Sequence, residues 1–92
     1  MSDSLADYVL AFKALADETR LKIITMLAGG EMCACKILEE FQITQPTLSY
    51  HMKVLTESGL VNGVRDRAWM RYSLNQEKGR AVKSFLERSF KG

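Results

Sequence analysis

The chain has 92 residues, of which 47% are hydrophobic and 26% are charged, with a net charge of +2. This composition is typical of one small globular domain and excludes a disordered or low-complexity chain. No apolar stretch reaches the ~18 residues that a membrane span needs, and the two cysteines are too close together to join distant segments of a secreted disulfide scaffold. Met1–Ser4 lacks the basic and apolar regions of a secretory signal. We therefore expect a single cytoplasmic domain over residues 1–92, with no membrane association.

The first part of the chain predicts three helices. Apolar residues recur at helical spacing from Leu5 to Ala16, which predicts the first helix. Asp17 is suited to cap a second helix, and Gly29 and Gly30 mark its end. A short third helix is predicted from about Cys33 to Phe41.

A fourth helix is predicted after Thr44, which is a suitable N-cap, and it ends before Gly59, where a C-terminal glycine is favoured. Its apolar face has helical spacing and consists of Leu48, Met52 and Leu55. Strand-forming residues then occupy Leu60–Arg65 and Trp69–Leu74, and Asp66–Ala68 between them predicts a hairpin.

A last helix is predicted from about Gln76 to Phe90. The fold class is therefore mainly α with a small β-hairpin, in the order α-α-α-α-β-β-α. A short helix, a tight turn and a longer helix with a polar face, followed by a hairpin, predict a winged helix-turn-helix.

The fourth helix and the hairpin contain the candidate DNA-binding residues. Gln45 and its polar neighbours can form hydrogen bonds with base edges, and the hairpin arginines can contact phosphates or the minor groove. The set is Thr44, Gln45, Thr47, Ser49, Tyr50, Lys53, Arg65, Arg67 and Arg71. A solvated polar face is the alternative for the helix, and solubility is the alternative for the arginines. Residues 41–92 contain nine basic and four acidic side chains, a balance compatible with a polyanionic partner.

Three segments in the correct order, Phe12–Leu21, Gln45–Leu55 and Ser58–Val61, resemble the ArsR/SmtB family of bacterial winged-helix repressors. The resemblance extends from about Leu5 to Phe90. It implies a homodimer joined by the first and last helices, which binds double-stranded operator DNA with two half-sites and is released by a metal ion or similar inducer. The terminal helices also contain more apolar residues than a core this small needs, among them Tyr8, Phe12, Phe85 and Phe90. These residues could instead only cap the core.

Glu31–Leu38 is similar to the cysteine motif of the arsenic-responsive ArsR type, which implies that Cys33 and Cys35 bind As(III) or Sb(III) as the inducer. Thiolates are soft ligands that suit thiophilic ions, including Cd(II) and Pb(II). Two cysteines on a helix can also be inert buried residues. Because As(III) prefers three thiolates, the third ligand must come from solvent, a small thiol such as glutathione, or the partner chain.

Geometry limits how the two cysteines could act together. Residues i and i+2 of a regular α-helix point about 200° apart, so we expect Cys33 and Cys35 to chelate one ion only if the start of the third helix is unwound or distorted. That distortion would disturb the neighbouring fourth helix and so weaken DNA binding. Lys36 is expected to favour the thiolate form of the pair. His51, the one histidine, is expected to be packed or to face phosphate and not to bind metal.

Other functions are possible for the same residues. A repressor of this fold could sense oxidants if the two cysteines oxidise. A dithiol enzyme is disfavoured, because no strand precedes the pair and no βαβ unit surrounds it, so we predict that the chain is not an enzyme. A winged helix used only for protein contacts would have no need of three arginines in its hairpin.

Overall fold

A computed structural model of the protein describes residues 3–91. Met1 and Ser2, in the segment predicted to lack a secretory signal, and Gly92, the end of the predicted domain, lie outside the described residues. Within the described range the chain forms five helices and three strands. In chain order they are α1 (Leu5–Leu15), α2 (Glu18–Leu27), β1 (Met32–Cys33), α3 (Ala34–Leu38), α4 (Gln45–Glu57), β2 (Val61–Asp66), β3 (Trp69–Leu74) and α5 (Gln76–Ser89).

The helix ends follow the capping residues of the sequence. The Asp17 carboxylate accepts a hydrogen bond from the backbone N–H of Arg20 at 3.0 Å, which fixes the start of α2. Thr44 Oγ1 accepts one from the N–H of Thr47 at 3.3 Å and caps α4. After α4, Gly59 has a φ of +86°, a left-handed conformation that other residues adopt only with strain. The predicted beginning and end of the fourth helix are therefore confirmed.

The predicted hairpin is confirmed, with a tighter turn than expected. Strands β2 and β3 pair in antiparallel fashion, and Asp66 lies opposite Trp69 within the ladder. The connecting turn is therefore Arg67 and Ala68, and Asp66 belongs to the strand. We call this hairpin, residues Val61–Leu74, the wing.

The sheet also contains a strand that the sequence did not predict. The short strand β1 pairs with β3 in antiparallel register, with Met32 opposite Tyr72 and Cys33 opposite Arg71. The strand order is β1-β3-β2, so β3 is central. The segment before α3 is thus hydrogen-bonded directly to the wing.

Helix α3 is shorter than predicted at both ends. Cys33 has extended backbone angles and lies in β1, so the helix begins at Ala34 instead of Cys33. After Leu38 the chain turns, and the N–H of Phe41 bonds to the carbonyl of Leu38. The predicted span of Cys33–Phe41 is therefore wrong at its two boundaries, although the helix itself exists.

The core lies where α2, α3 and α4 meet. Its largest fully buried side chains are Ile23, Ile37, Met52 and Leu55. Burial of each such side chain contributes roughly 1.5–3 kcal/mol, and two of the four belong to α4. The position of α4 is therefore fixed by the core of its own protomer.

The terminal helices α1 and α5 pack on one another. The rings of Tyr8 and Phe85 stack with their centroids 4.4 Å apart, and Phe12 lies 6.1 Å from the same Phe85 ring. Tyr8 is only 7% exposed, so it belongs to the protomer core and not to surplus apolar surface, contrary to expectation. The large apolar residues that do remain exposed here are Leu5, Val9 and Leu10 on α1, Leu86 on α5 and Phe90 directly after α5. No helix among residues 3–91 has both the length and the apolar character required to cross a membrane.

Candidate functional site

Helix α4 presents a polar stripe beside its buried face. Leu48 and Met52 are buried, as predicted. Gln45, Ser49 and Lys53 follow one another at intervals of four residues, and all three are exposed. This spacing places them on one side of the helix. Their polar groups are therefore available to an extended ligand that runs along α4.

The remaining predicted residues of α4 have different surroundings. Thr44 Oγ1 donates to Thr47 Oγ1 at 3.0 Å while it accepts the capping hydrogen bond, so both threonines take part in the helix cap. Tyr50 is 60% exposed, and its ring centroid lies 5.5 Å from that of His51. The first turn of α4 is therefore ordered by its own side chains.

The three wing arginines differ in their contacts. Arg65 and Arg67 are exposed, and Arg67 occupies the turn with a φ of +60°. Arg71 is held on both sides, since its Nε lies 2.9 Å from Asp66 Oδ2 and its Nη1 lies 3.7 Å from Glu31 Oε1. The hydrogen bond to Asp66 raises the pKa of Arg71, as do the charges of Asp66 and Glu31. Arg65 and Arg67 are thus freer to meet a phosphate than Arg71.

A polar cleft of about 230 Å³ separates α4 from the wing. Gln45 and Ser49 line it from the helix, and Arg65 and Trp69 line it from the wing. Trp69 is 43% exposed and was not predicted as a site residue. An exposed aromatic residue beside polar groups is the signal that could have identified it, but at the sequence level Trp69 is equally typical of a buried strand. The cleft brings predicted residues from both elements to one surface.

The cysteine pair occupies the junction between β1 and α3. The two Sγ atoms are in contact and are joined as a disulfide, and the Cα atoms are 5.3 Å apart. The backbone N–H of Cys35 also donates a hydrogen bond to Cys33 Sγ at 3.3 Å. The condition set for a shared site, that the start of the predicted third helix is not regular helix, is met, because Cys33 precedes α3 and its extended backbone directs the two side chains to one point.

The surroundings of the pair contain few other ligands. Lys36 Nζ lies 3.9 Å from Glu39 Oε1, so its charge is shared with a carboxylate on the same helix. Within residues 3–91 no group of three or more histidine, cysteine, aspartate and glutamate side chains could hold a metal ion. The described part of one chain therefore offers two sulfur ligands at this place.

A polar network connects α1, α2 and α4. Arg20 donates from Nε to the carbonyl of Ala14 at 2.6 Å and from Nη2 to that of Lys13 at 3.3 Å. Its Nη1 lies 3.0 Å from His51 Nδ1, which must be the acceptor because arginine has none. His51 is therefore packed against α2, one of its two predicted positions. The hydrogen bond from the Arg20 N–H lowers the pKa of Asp17, which lies 3.9 Å from the same histidine nitrogen.

Comparison with known proteins agrees with this geometry. Residues 17–63 match the model of a family described as "Bacterial regulatory protein, arsR family". A crystal structure of an ArsR family transcriptional regulator superposes with a TM-score of 0.88 over 97% of this chain and 92% of that chain, at 22% identity. This likeness confirms the predicted winged-helix fold.

Two curated relatives have closely similar sequences. The arsenical resistance operon repressor of Staphylococcus xylosus is 48% identical over 65 residues, which cover 71% of this chain and 62% of the relative. The protein of the same name from Bacillus subtilis (strain 168) is 41% identical over 78 residues, covering 84% of this chain and 74% of the relative. The match thus spans about three fifths of the length of the staphylococcal protein. As predicted, the similarity is to regulators and not to enzymes, and the chain belongs to the arsR family of bacterial regulatory proteins.

Proposed function

We propose that the protein is a metalloid-responsive transcriptional repressor, which binds operator DNA in the cytoplasm as a homodimer and is released when As(III) or Sb(III) binds Cys33 and Cys35. The observation that carries this proposal is the contact between the two sulfur atoms at the β1–α3 junction. The names of the curated relatives, arsenical resistance operon repressors, support the class of inducer.

DNA binding is assigned to the nine predicted residues, with three roles. Gln45, Ser49 and Tyr50 contact base edges in the major groove and set sequence preference. Arg65 and Arg67 contact phosphates or the minor groove beside it and supply affinity that depends on salt. The other assigned residues, Thr44, Thr47, Lys53 and Arg71, position α4 and the wing or contact the backbone.

The inducer reaction follows from thiol chemistry. When both cysteines are reduced, arsenous acid, As(OH)₃, forms two As–S bonds, and each thiol proton leaves with a hydroxide as water. The product retains one hydroxyl on arsenic, which a third thiol can replace with release of another water. Solvent, a small thiol such as glutathione, or the partner chain supplies this third position, because the described part of the chain has no third sulfur ligand beside the pair.

The homodimer is proposed to form through α1 and α5. Exposed apolar side chains lie on both helices and at the end of α5, where Phe90 is 79% exposed, and Leu5 on α1 is 71% exposed. An apolar groove of about 390 Å³ beside α5, lined among others by Leu15, Val82 and Leu86, continues this surface. Burial of such side chains against a second copy removes them from water, which favours association.

The second candidate is a redox-sensing repressor of the same fold. The same sulfur contact favours it, because two adjacent thiols can form a disulfide. With hydrogen peroxide as the oxidant, two thiols give one disulfide and two waters, and the peroxide takes up the two electrons. Both candidates use the same two cysteines and differ in what reacts with them.

The deciding experiment measures operator binding by fluorescence anisotropy. The duplex is one that the protein selects from a random pool. The protein–duplex complex is titrated with arsenite, antimonite or Zn(II). A phosphine keeps the cysteines reduced, because dithiol reductants bind arsenic themselves. The expected result is that arsenite or antimonite weakens binding by about 5- to 150-fold, an ordinary allosteric range, and that Zn(II) has no effect.

The matched control is the Cys33→Ser/Cys35→Ser variant. It should bind the duplex as tightly as the parent and remain bound when arsenite is added. If arsenite releases this variant from the duplex, the sensing site lies elsewhere in the protein. If peroxide without reductant releases the parent and arsenite does not, the redox candidate replaces the first.

A further inference from the structure

The cysteine pair lies directly beside the wing, at the junction of β1 and α3. Cys33 ends the edge strand β1 and faces Arg71 in the central strand β3. Cys35 belongs to the first turn of α3. A ligand bonded to both sulfurs therefore fixes the edge of the wing sheet relative to helix α3.

Arg71 connects the same two regions through its side chain. Its guanidinium contacts Glu31, which directly precedes β1, and Asp66, at the end of β2. One side chain of β3 thus joins the segment before the cysteines to the end of β2. A lysine could not hold both carboxylates in this way, because it has one compact ammonium group instead of a planar guanidinium.

We infer that Glu31 and Arg71 are positioning residues for the inducer response, and that they couple the cysteine pair to the wing through the β1–β3 strand pair. This inference rests on the proposed function and adds a route to it. Arg71 then acts on DNA mainly through the orientation of the wing that contains Arg65 and Arg67.

The physical basis is the small size of β1. Two residues form few ladder hydrogen bonds, so the strand depends on additional contacts such as the Glu31–Arg71 ion pair to stay in register. An arsenic atom bonded to both sulfurs lies between them and holds them farther apart than the direct S–S contact does, so Cys33 shifts. Since Cys33 faces Arg71, that movement shifts β3 and the wing relative to α4. The DNA-binding residues of α4 and of the wing can then no longer contact the same duplex at the same time.

The test uses Glu31→Gln, which keeps the shape of the side chain and removes its charge. The matched control is Glu39→Gln, which makes the same change on α3 and breaks the pair with Lys36. The two carboxylate side chains are similarly exposed, at 53% and 64%. Operator affinity with and without arsenite is measured for both variants and the parent, and arsenite affinity is measured in the absence of DNA.

In Glu31→Gln, arsenite should still bind, and the fold-change that it causes in operator affinity should fall about 2- to 5-fold, the range of an exposed ion pair. Glu39→Gln should keep the response of the parent. An equal response in both variants would overturn the inference. If arsenite does not release the parent at all, the proposed function fails instead, so the two failures are distinct.

Hydrogen exchange provides a second measurement that does not depend on DNA. Arsenite should increase exchange of the Trp69–Leu74 amides in the parent and leave it unchanged in Cys33→Ser/Cys35→Ser. In Glu31→Gln these amides should exchange faster before arsenite is added. Unchanged exchange in β3 of the parent on arsenite binding would contradict the route through the wing.

Discussion

Helix α4 and the last helix α5 have similar lengths, 13 and 14 residues, but their apolar faces have different partners. Leu48, Met52 and Leu55 of α4 are buried within the protomer, whereas only Val82 of α5 is buried there. Exposed apolar residues of α5 and its neighbour α1 remain available to a second copy. The element proposed to read DNA is thus positioned by folding, and the element proposed to join two copies is completed by assembly. These two requirements should be separable by mutation.

The largest expected effect is on assembly. Leu86→Glu places a charge within the proposed α1–α5 interface, where burial without a partner is costly, so the protein should sediment near its monomer mass of 10.4 kDa. Leu21→Glu is the control, because Leu21 is a similarly exposed leucine on α2, at 48% against 38% for Leu86. If the Leu86→Glu variant stays dimeric at micromolar concentration, α5 is not part of the dimer interface.

Loss of core packing under α4 should come next. Leu55 is fully buried, so Leu55→Ala should lower the free energy of unfolding by about 2–5 kcal/mol through a cavity and lost apolar contacts. Leu21→Ala on the surface should change it by about 0.5 kcal/mol or less. Urea unfolding at one fixed protein concentration measures both, because the stability of a dimer depends on concentration. Equal effects of the two substitutions would show that α4 is not anchored by this core.

Base reading should distinguish the two helices as well. Gln45→Ala should reduce discrimination between the selected duplex and a duplex mutated at the contacted base by about 1–3 kcal/mol. Gln76→Ala is the control, because both glutamines are exposed first residues of their helices. Binding of the two duplexes is compared by anisotropy at one salt concentration. If Gln45→Ala weakens binding to both duplexes equally, Gln45 contacts the DNA backbone and not a base.

The smallest effect concerns acid stability at the start of α2, next to α4. The folded-state pKa of Asp17 is lowered below its ordinary value of 3.8 by the Arg20 N–H, so the ionised carboxylate stabilises the fold above that pH. This contribution is lost as pH falls below about 3.8. Asp17→Asn keeps a good cap and should make the melting temperature less dependent on pH in this range, well below the effect of Leu55→Ala. An unchanged pH profile would mean that Asp17 does not contribute to acid unfolding.

Much of the fold could be predicted because its causes are local. Asp17 and Thr44 cap helices through groups three residues away, and Gly59 ends α4 through its own backbone conformation. The buried face of α4 follows from residue spacing alone. The exposed polar residues of the same helix could be proposed as a DNA surface for the same reason.

The remaining features depend on contacts between distant residues. Strand β1 has two residues and no alternating pattern, and it exists because Met32 and Cys33 pair with Tyr72 and Arg71. That pairing removes Cys33 from the helix and brings the sulfurs together, so the geometry of the cysteine pair could not be predicted from helical spacing. The burial of Tyr8 likewise depends on Phe85, far along the chain.

The Arg20 network has a consequence for the spacing of the operator. Its guanidinium binds carbonyls in the last turn of α1 and the histidine of α4, and so links a helix of the proposed dimer interface directly to the helix proposed to read DNA. Two copies of α4 held in fixed positions about a common twofold axis require two half-sites that face the same side of the duplex. Such half-sites lie about 10 base pairs, or one helical turn, apart. An operator lengthened by half a turn would present its second half-site on the opposite side of the duplex, beyond the reach of the second α4.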